Sequence, residues 1–241
     1  MPLYSQHPGQ RDGRGVSEDL WGDCARDSIA QGGNYGFAVD DDFMDLPTGK
    51  YTATQATAGT FAAGTADEGG TALADCNSTT VTQGINVQLN SALFKPQANA
   101  DIWFEARVKA ADIATGPEFA LGLANIDTTV IASSAVSTTD HVMFTSVTDN
   151  GILLGSSEKA GTAASSNAVH TLVEDTWVRL GFKISGVDKV EWYVNGVKDA
   201  TTVATANVPI VVLVPTLVCQ SDGTTDSIVH IDWWSIYQSK R

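Results

Sequence analysis

The chain has 241 residues, of which 43% are apolar and only 17% charged, below the share of about 25% usual in globular proteins. Acidic residues outnumber basic ones 28 to 14, for a formal net charge of −14, and such a surface repels phosphate backbones, which excludes general nucleic-acid binding. Cys24, Cys76 and Cys219 form no CxxC pair and have no histidine at ligand spacing, so a structural zinc site is not expected. Three reduced thiols, the simpler reading, fit synthesis in a reducing cytoplasm, and one disulfide with a thiol left over is the other reading. The N-terminus lacks the basic-then-apolar pattern of a signal peptide. The longest apolar run, Val208 to Cys219, is interrupted by Pro209 and Pro215, so no membrane helix is expected.

In chain order, residues 1–38 read as an extended arm. Gly9, Gly13 and Gly15 interleave with Arg11, Asp12 and Arg14, a stretch with too little apolar surface to fold alone. Tyr4, Leu20 and Trp21 are isolated large side chains in this polar setting and call for a surface, their own domain or a neighbour's. From residue 39 to 241 the texture is that of one β-sandwich, since domains of this class routinely reach such a length. Residues Tyr51 to Phe94 contain no Lys or Arg and are rich in Thr, Ala and Gly, which favours short strands joined by turns. Ile102, Phe104, Ala106 and Val108 alternate with Glu105, Arg107 and Lys109; Val178, Leu180, Phe182 and Ile184 alternate with Arg179 and Lys183. Both are the period-two signature of half-buried antiparallel strands. Asn195-Gly196 between two β-type runs predicts a tight hairpin. The last strand, Ile228 to Tyr237, carries large groups on both faces, with Val229, Ile231 and Trp233 opposite Ile228, His230, Asp232 and Trp234. Many short strands with regular turns imply an all-β antiparallel sandwich.

Two blocks carry a family resemblance. The hairpin from Trp177-Val178-Arg179-Leu180 to Val190-Glu191-Trp192-Tyr193-Val194-Asn195-Gly196-Val197 resembles one found in concanavalin A-like (laminin G-like) jelly rolls. The ending Val229 to Gln238 resembles their final strand. A third block, Leu20-Trp21-Gly22-Asp23-Cys24 with Gly36-Phe37 and Asp41-Asp42-Phe43, is similar to the opening of virion structural proteins of tailed bacteriophages. That resemblance implies a capsid decoration (cement) protein on the virion surface, made in the host cytoplasm and bound to the major capsid protein, with a homotrimer as the expected state. Tyr4, Arg11, Arg14, Leu20 and Trp21 are the arm residues expected to bind the partner. No contact with nucleic acid or membrane is expected.

Catalysis finds little support. Glycosidases of this fold usually present E-x-D-x-x-E on one strand, and no such triplet occurs; Glu105 is followed by Arg107 and Glu191 by Tyr193, so neither strand aligns two carboxylates. No G-x-S-x-G elbow or phosphate-binding loop is present, so no catalytic residue is assigned. No cofactor is expected; Asp40, Asp41, Asp42 and Asp45 are the one cluster with calcium chemistry, against the plainer reading of an acidic turn. The alternative function is a carbohydrate-binding, lectin-like module. Trp103 and Trp192, assigned to the polar register of their strands, are its expected sugar platforms.

Overall fold

The computed structural model describes residues 17–24, 36–64, 70–80, 83–91, 93–111, 118–132, 135–146, 151–163, 167–203, 207–221, 223–224 and 226–240. The period-two blocks fold into two antiparallel sheets packed face to face. The first sheet runs β16 (Val197–Val203), β15 (Lys189–Val194), β14 (Val178–Ser185), β6 (Ile102–Ala111), β18 (Ile228–Ser239), β4 (Ala72–Asp75) and β3 (Thr60–Ala63), with β1 (Gly36–Asp41) also on β18. The second runs β12 (Thr162–Ala163), β11 (Ile152–Lys159), β10 (His141–Ser146), β7 (Glu118–Ala124), β17 (Val214–Gln220), β5 (Gly84–Leu89) and β2 (Tyr51–Ala56), with β13 (Asn167–Thr171) also on β11. A small hairpin, β8 (Ile131–Ala132) and β9 (Ala135–Val136), and one helical turn, α1 (Glu18–Trp21), lie outside them. No helix among the described residues is long and apolar enough to cross a membrane.

The core lies between the sheets, where the alternation predicted for β6 and β14 places it: Ile102, Phe104, Ala106 and Val108 face Leu121, Val142 and Phe144 within one buried cluster. Phe104 stacks on Phe182 with ring centroids 4.8 Å apart. Burial of each such side chain is worth about 1.5–3 kcal/mol. Asn195 and Gly196 turn the β15–β16 hairpin with φ of 51° and 83°, the pair of positive angles that the dipeptide announces.

The structure departs from the sequence reading at β18. Its pairing with β6 slips between Ile231 and Trp233, a bulge that reverses the inward parity. Val229 and Ile231 point into the core before it, and Trp234 and Ile236 after it. Asp232 sits at the slip and forms an ion pair with Arg107. Strand β1 begins at Gly36, and Gly36 to Asp41 pair with Ser239 to Trp234.

Candidate functional site

Two outer faces carry polar chemistry. On the second sheet, one face of β5 and β17 bears Asn86, Gln88, Thr216 and Gln220, all buried. The Gln88 amide donates to the Asn125 carbonyl (3.1 Å) and to Thr216 Oγ1 (3.0 Å), and its oxygen accepts the Asp127 N–H (3.0 Å). Asn86 donates to the Asp127 carbonyl at 2.6 Å. These bonds hold the loop after β7 against the sheet, while Val130 and Ile131 pack on Ala120, Ala124, Met143 and Val218. Between that loop and β2 lies a groove of about 400 Å³, within the size range of small-molecule sites.

Strand register builds the groove floor. Thr54, Asn86 and Val218 are directly opposite one another across β2, β5 and β17, and Ala56, Gly84 and Gln220 are likewise aligned. Gly84 is required there, since a Cβ would stand 2.3 Å from the Cys219 carbonyl oxygen. Gln55, Thr128 and Thr129 complete the polar lining, and none of the described lining residues is charged or aromatic. Asn86 Oδ1 and Gln220 Nε2 are buried there without a hydrogen-bond partner among the described residues. One is an acceptor and the other a donor, and both atoms are closed off from the open groove. An unmet buried polar atom costs about 1–3 kcal/mol. Neither amide was singled out from sequence. Asn86 and Gln88 share one parity in an otherwise apolar run, which was the available signal.

The outer face of the first sheet is covered by the Leu20–Cys24 block. Leu20 and Trp21 are buried at 1% and 8% exposure, in a cluster with Trp103, Tyr193 and Tyr237. Leu20 enters a socket opened by Gly181, where a Cβ would come within 2.5 Å of Leu20 Cδ2. Glu105 anchors the turn: Oε2 accepts the Ser17 N–H (2.8 Å) and the Trp21 indole N–H (2.9 Å), and Oε1 accepts the Ser17 hydroxyl. Asp23 accepts the Trp103 indole N–H at 3.2 Å and pairs with Lys183.

This arrangement corrects three expectations. Leu20 and Trp21, expected to bind a partner, are buried against their own domain; Tyr4, Arg11 and Arg14 lie outside the described residues. Trp103 has the outward parity expected of it but is only 3% exposed because the arm covers it. Trp192 does not lie on the polar register of β15. It shares Val190's face and is fully buried, with Phe144 and Phe182 ring centroids at 5.0 and 5.5 Å. Gly155 makes room for it, since a Cβ there would stand 2.6 Å from the indole. Neither tryptophan presents a ring for a sugar to stack on.

Asp40 and Asp41 of the acidic cluster make protein contacts. Asp41 accepts the Phe43 N–H (3.0 Å), pairs with Lys50 (2.7 Å) and takes the Tyr51 hydroxyl; Asp40 takes the Ser235 hydroxyl (2.8 Å). Among the described residues no three His, Cys, Asp or Glu side chains are grouped to hold a metal. Glu191 lies between Lys189 (2.8 Å) and Lys198 (2.5 Å). His141 bonds Ser156 at 2.9 Å, and burial pushes its pKa down to about 4.

No protein-family model and no curated protein matches the chain. Solved structures do. A protein of unknown function from Shewanella oneidensis superposes with a TM-score of 0.62 at 16% identity, covering 89% of this chain and 94% of that one. Peanut lectin gives 0.56 at 15% identity, covering 85% and 97%. A Bacillus licheniformis β-glucanase gives 0.58 at 12% identity, covering 86% and 99%. At such identities the likeness establishes the fold, a concanavalin A-like jelly roll, and extends to lectins and glucanases alike. Nothing in it points to a virion protein.

Proposed function

We propose that the chain is a non-catalytic binding module whose groove over β2, β5 and β17 takes a neutral, hydroxyl-rich ligand, a glycan. The observation that carries this reading is the lining itself: threonine hydroxyls and amides, with no charged side chain among its described residues. A charged ligand would be buried without a countercharge, which is costly. Hydroxyls both donate and accept, which matches the threonines and amides of the lining. The jelly-roll scaffold, shared with peanut lectin and with arcelin-5, a lectin-like defence protein from Phaseolus vulgaris, adds support by analogy. The non-catalytic part rests on the absence of E-x-D-x-x-E from the sequence and on Glu105 being enclosed beneath the arm.

The test is a glycan array probed with the full chain, followed by titration of the best hit. Gln220→Ala, which removes a side chain from the groove but not from the core, is expected to weaken binding about tenfold or more, the value of one lost hydrogen bond of about 1.4 kcal/mol. Circular dichroism should be unchanged. Absence of glycan binding, or undiminished binding by Gln220→Ala, would overturn the assignment to this groove. Turnover of a bound polysaccharide would overturn the non-catalytic part.

A further inference from the structure

Two thiols from opposite sheets meet at the sandwich edge. Cys76 directly follows β4 of the first sheet, and Cys219 lies in β17 of the second. Both are free and fully buried. Ser227 holds both: its N–H donates to Cys76 Sγ at 2.9 Å, and its carbonyl accepts from Cys219 Sγ at 3.2 Å. Asp226 Oδ1 and the Ser78 carbonyl lie 3.3 Å from Cys76 Sγ. Cys76 is one residue below the surface, since its neighbours Asn77 and Asp226 are exposed.

We propose that Cys76 and Cys219 form an oxidative modification site, closed by a peroxide into a disulfide that ties one sheet to the other. The environment differentiates the two thiols. Interaction with Cys219 holds the Cys76 thiol below its ordinary pKa, whereas that same interaction and complete burial push Cys219 well above its own. Cys76 is therefore the attacking thiolate, because the deprotonated sulfur is the nucleophile. It gives its proton to solvent and attacks hydrogen peroxide; an S–O bond forms, the O–O bond breaks, and the departing hydroxide takes a proton to become water. Cys219 sulfur then attacks the Cys76 sulfenic acid. The S–S bond forms, the S–O bond breaks, and hydroxide leaves with the Cys219 proton as a second water. Two thiols and one peroxide give one disulfide and two waters. Cys24 belongs instead to the segment on the outer face of the first sheet and serves as an internal control.

The experiment uses the full chain, reduced, desalted, exposed to hydrogen peroxide and mapped without reductant after alkylation. The expected product is a Cys76–Cys219 linked peptide two hydrogens lighter than its parts, with Cys24 still alkylatable. The melting temperature should rise by about 5–10 °C, as expected for a long-loop cross-link in a domain of this size, and fall back on reduction. In Cys219→Ser the sulfenic acid on Cys76 should persist and be trapped by dimedone. A cross-link through Cys24, over-oxidation of Cys76 in the wild type without a link to Cys219, or inert Cys76 at peroxide concentrations that consume Cys24 would each overturn the proposal. Glycan binding has no bearing on any of these outcomes.

Discussion

At Glu105 two effects oppose each other. Burial at 1% exposure disfavours the charged carboxylate, while three donors from Ser17 and Trp21 favour it. Burial is the larger, and the carboxyl pKa stands above the ordinary glutamate value. The folded state therefore holds this proton more tightly than the unfolded chain does. Its contribution to stability is greatest below the ordinary glutamate pKa and declines as pH rises to the folded value. Protonated on Oε1, the group can donate to the Ser17 hydroxyl while Oε2 still accepts both N–H groups. Glu105→Gln reproduces that neutral pattern. It should keep the arm docked, be at least as stable as the wild type at pH 7, and remove this residue's share of the pH dependence, as read by urea denaturation between pH 4 and 7. Glu105→Ala leaves the donors without an acceptor and should cost about 1.5–3 kcal/mol. Arm release by Glu105→Gln would contradict the assignment.

The docked segment shows at the scale of an element what a sequence can and cannot express. Leu20 and Trp21 were legible as anchors because large apolar side chains stood alone in a polar arm. Their socket was not legible, because Gly181, Glu105, Trp103 and Tyr237 become neighbours only when β14, β6 and β18 align. Strands β6 and β14 could be read because each has one buried and one polar face, so period two survives in the residue types. In β18 both faces are buried, and the slip after Ile231 reverses parity with little but Ser235 to mark it, a small polar residue on the parity of Val229 and Ile231. The groove was illegible for a related reason: Asn86 and Gln88 look like ordinary solvent-facing strand residues until the loop from Asn125 covers them. The segment makes a prediction of its own. Leu20→Ala forfeits about 2 kcal/mol or more of buried contact, and Gly181→Ala fills the same socket from the other side. Because α1 packs on the sheet from outside, each should loosen the segment and leave the sandwich folded. Cys24, half-buried beside it, should be alkylated more than tenfold faster in Leu20→Ala. An unchanged alkylation rate would show that the segment does not depend on this socket.

For the whole molecule, acid acts through opposing contributions. With a net charge of −14 and an isoelectric point near 4.4, acidification relieves self-repulsion and favours the compact state. Glu105 acts in the same direction. His141 acts against both. It is fully buried at the start of β10, bonded to Ser156, with its pKa pushed from 6.5 to about 4 by burial; the Thr138 backbone and the Asp140 charge only partly compensate. As pH falls through 6.5 the unfolded chain takes up a proton that the folded state refuses until about pH 4. Stability is lost across that window, about 3 kcal/mol at about 1.4 kcal/mol per pH unit. His141→Gln places a neutral amide near the position of Nε2 and can keep the bond to Ser156. Urea denaturation at pH 7.5 and pH 4 should then show the variant gaining about 3 kcal/mol on the wild type as the pH is lowered. The wild type should change little over the same range, because the histidine offsets the gain from charge neutralisation. Parallel pH profiles for the two proteins would mean that His141 is protonated in the fold. Its buried contact with Ser156 would then be a charged one, and the acid response of the domain would arise elsewhere.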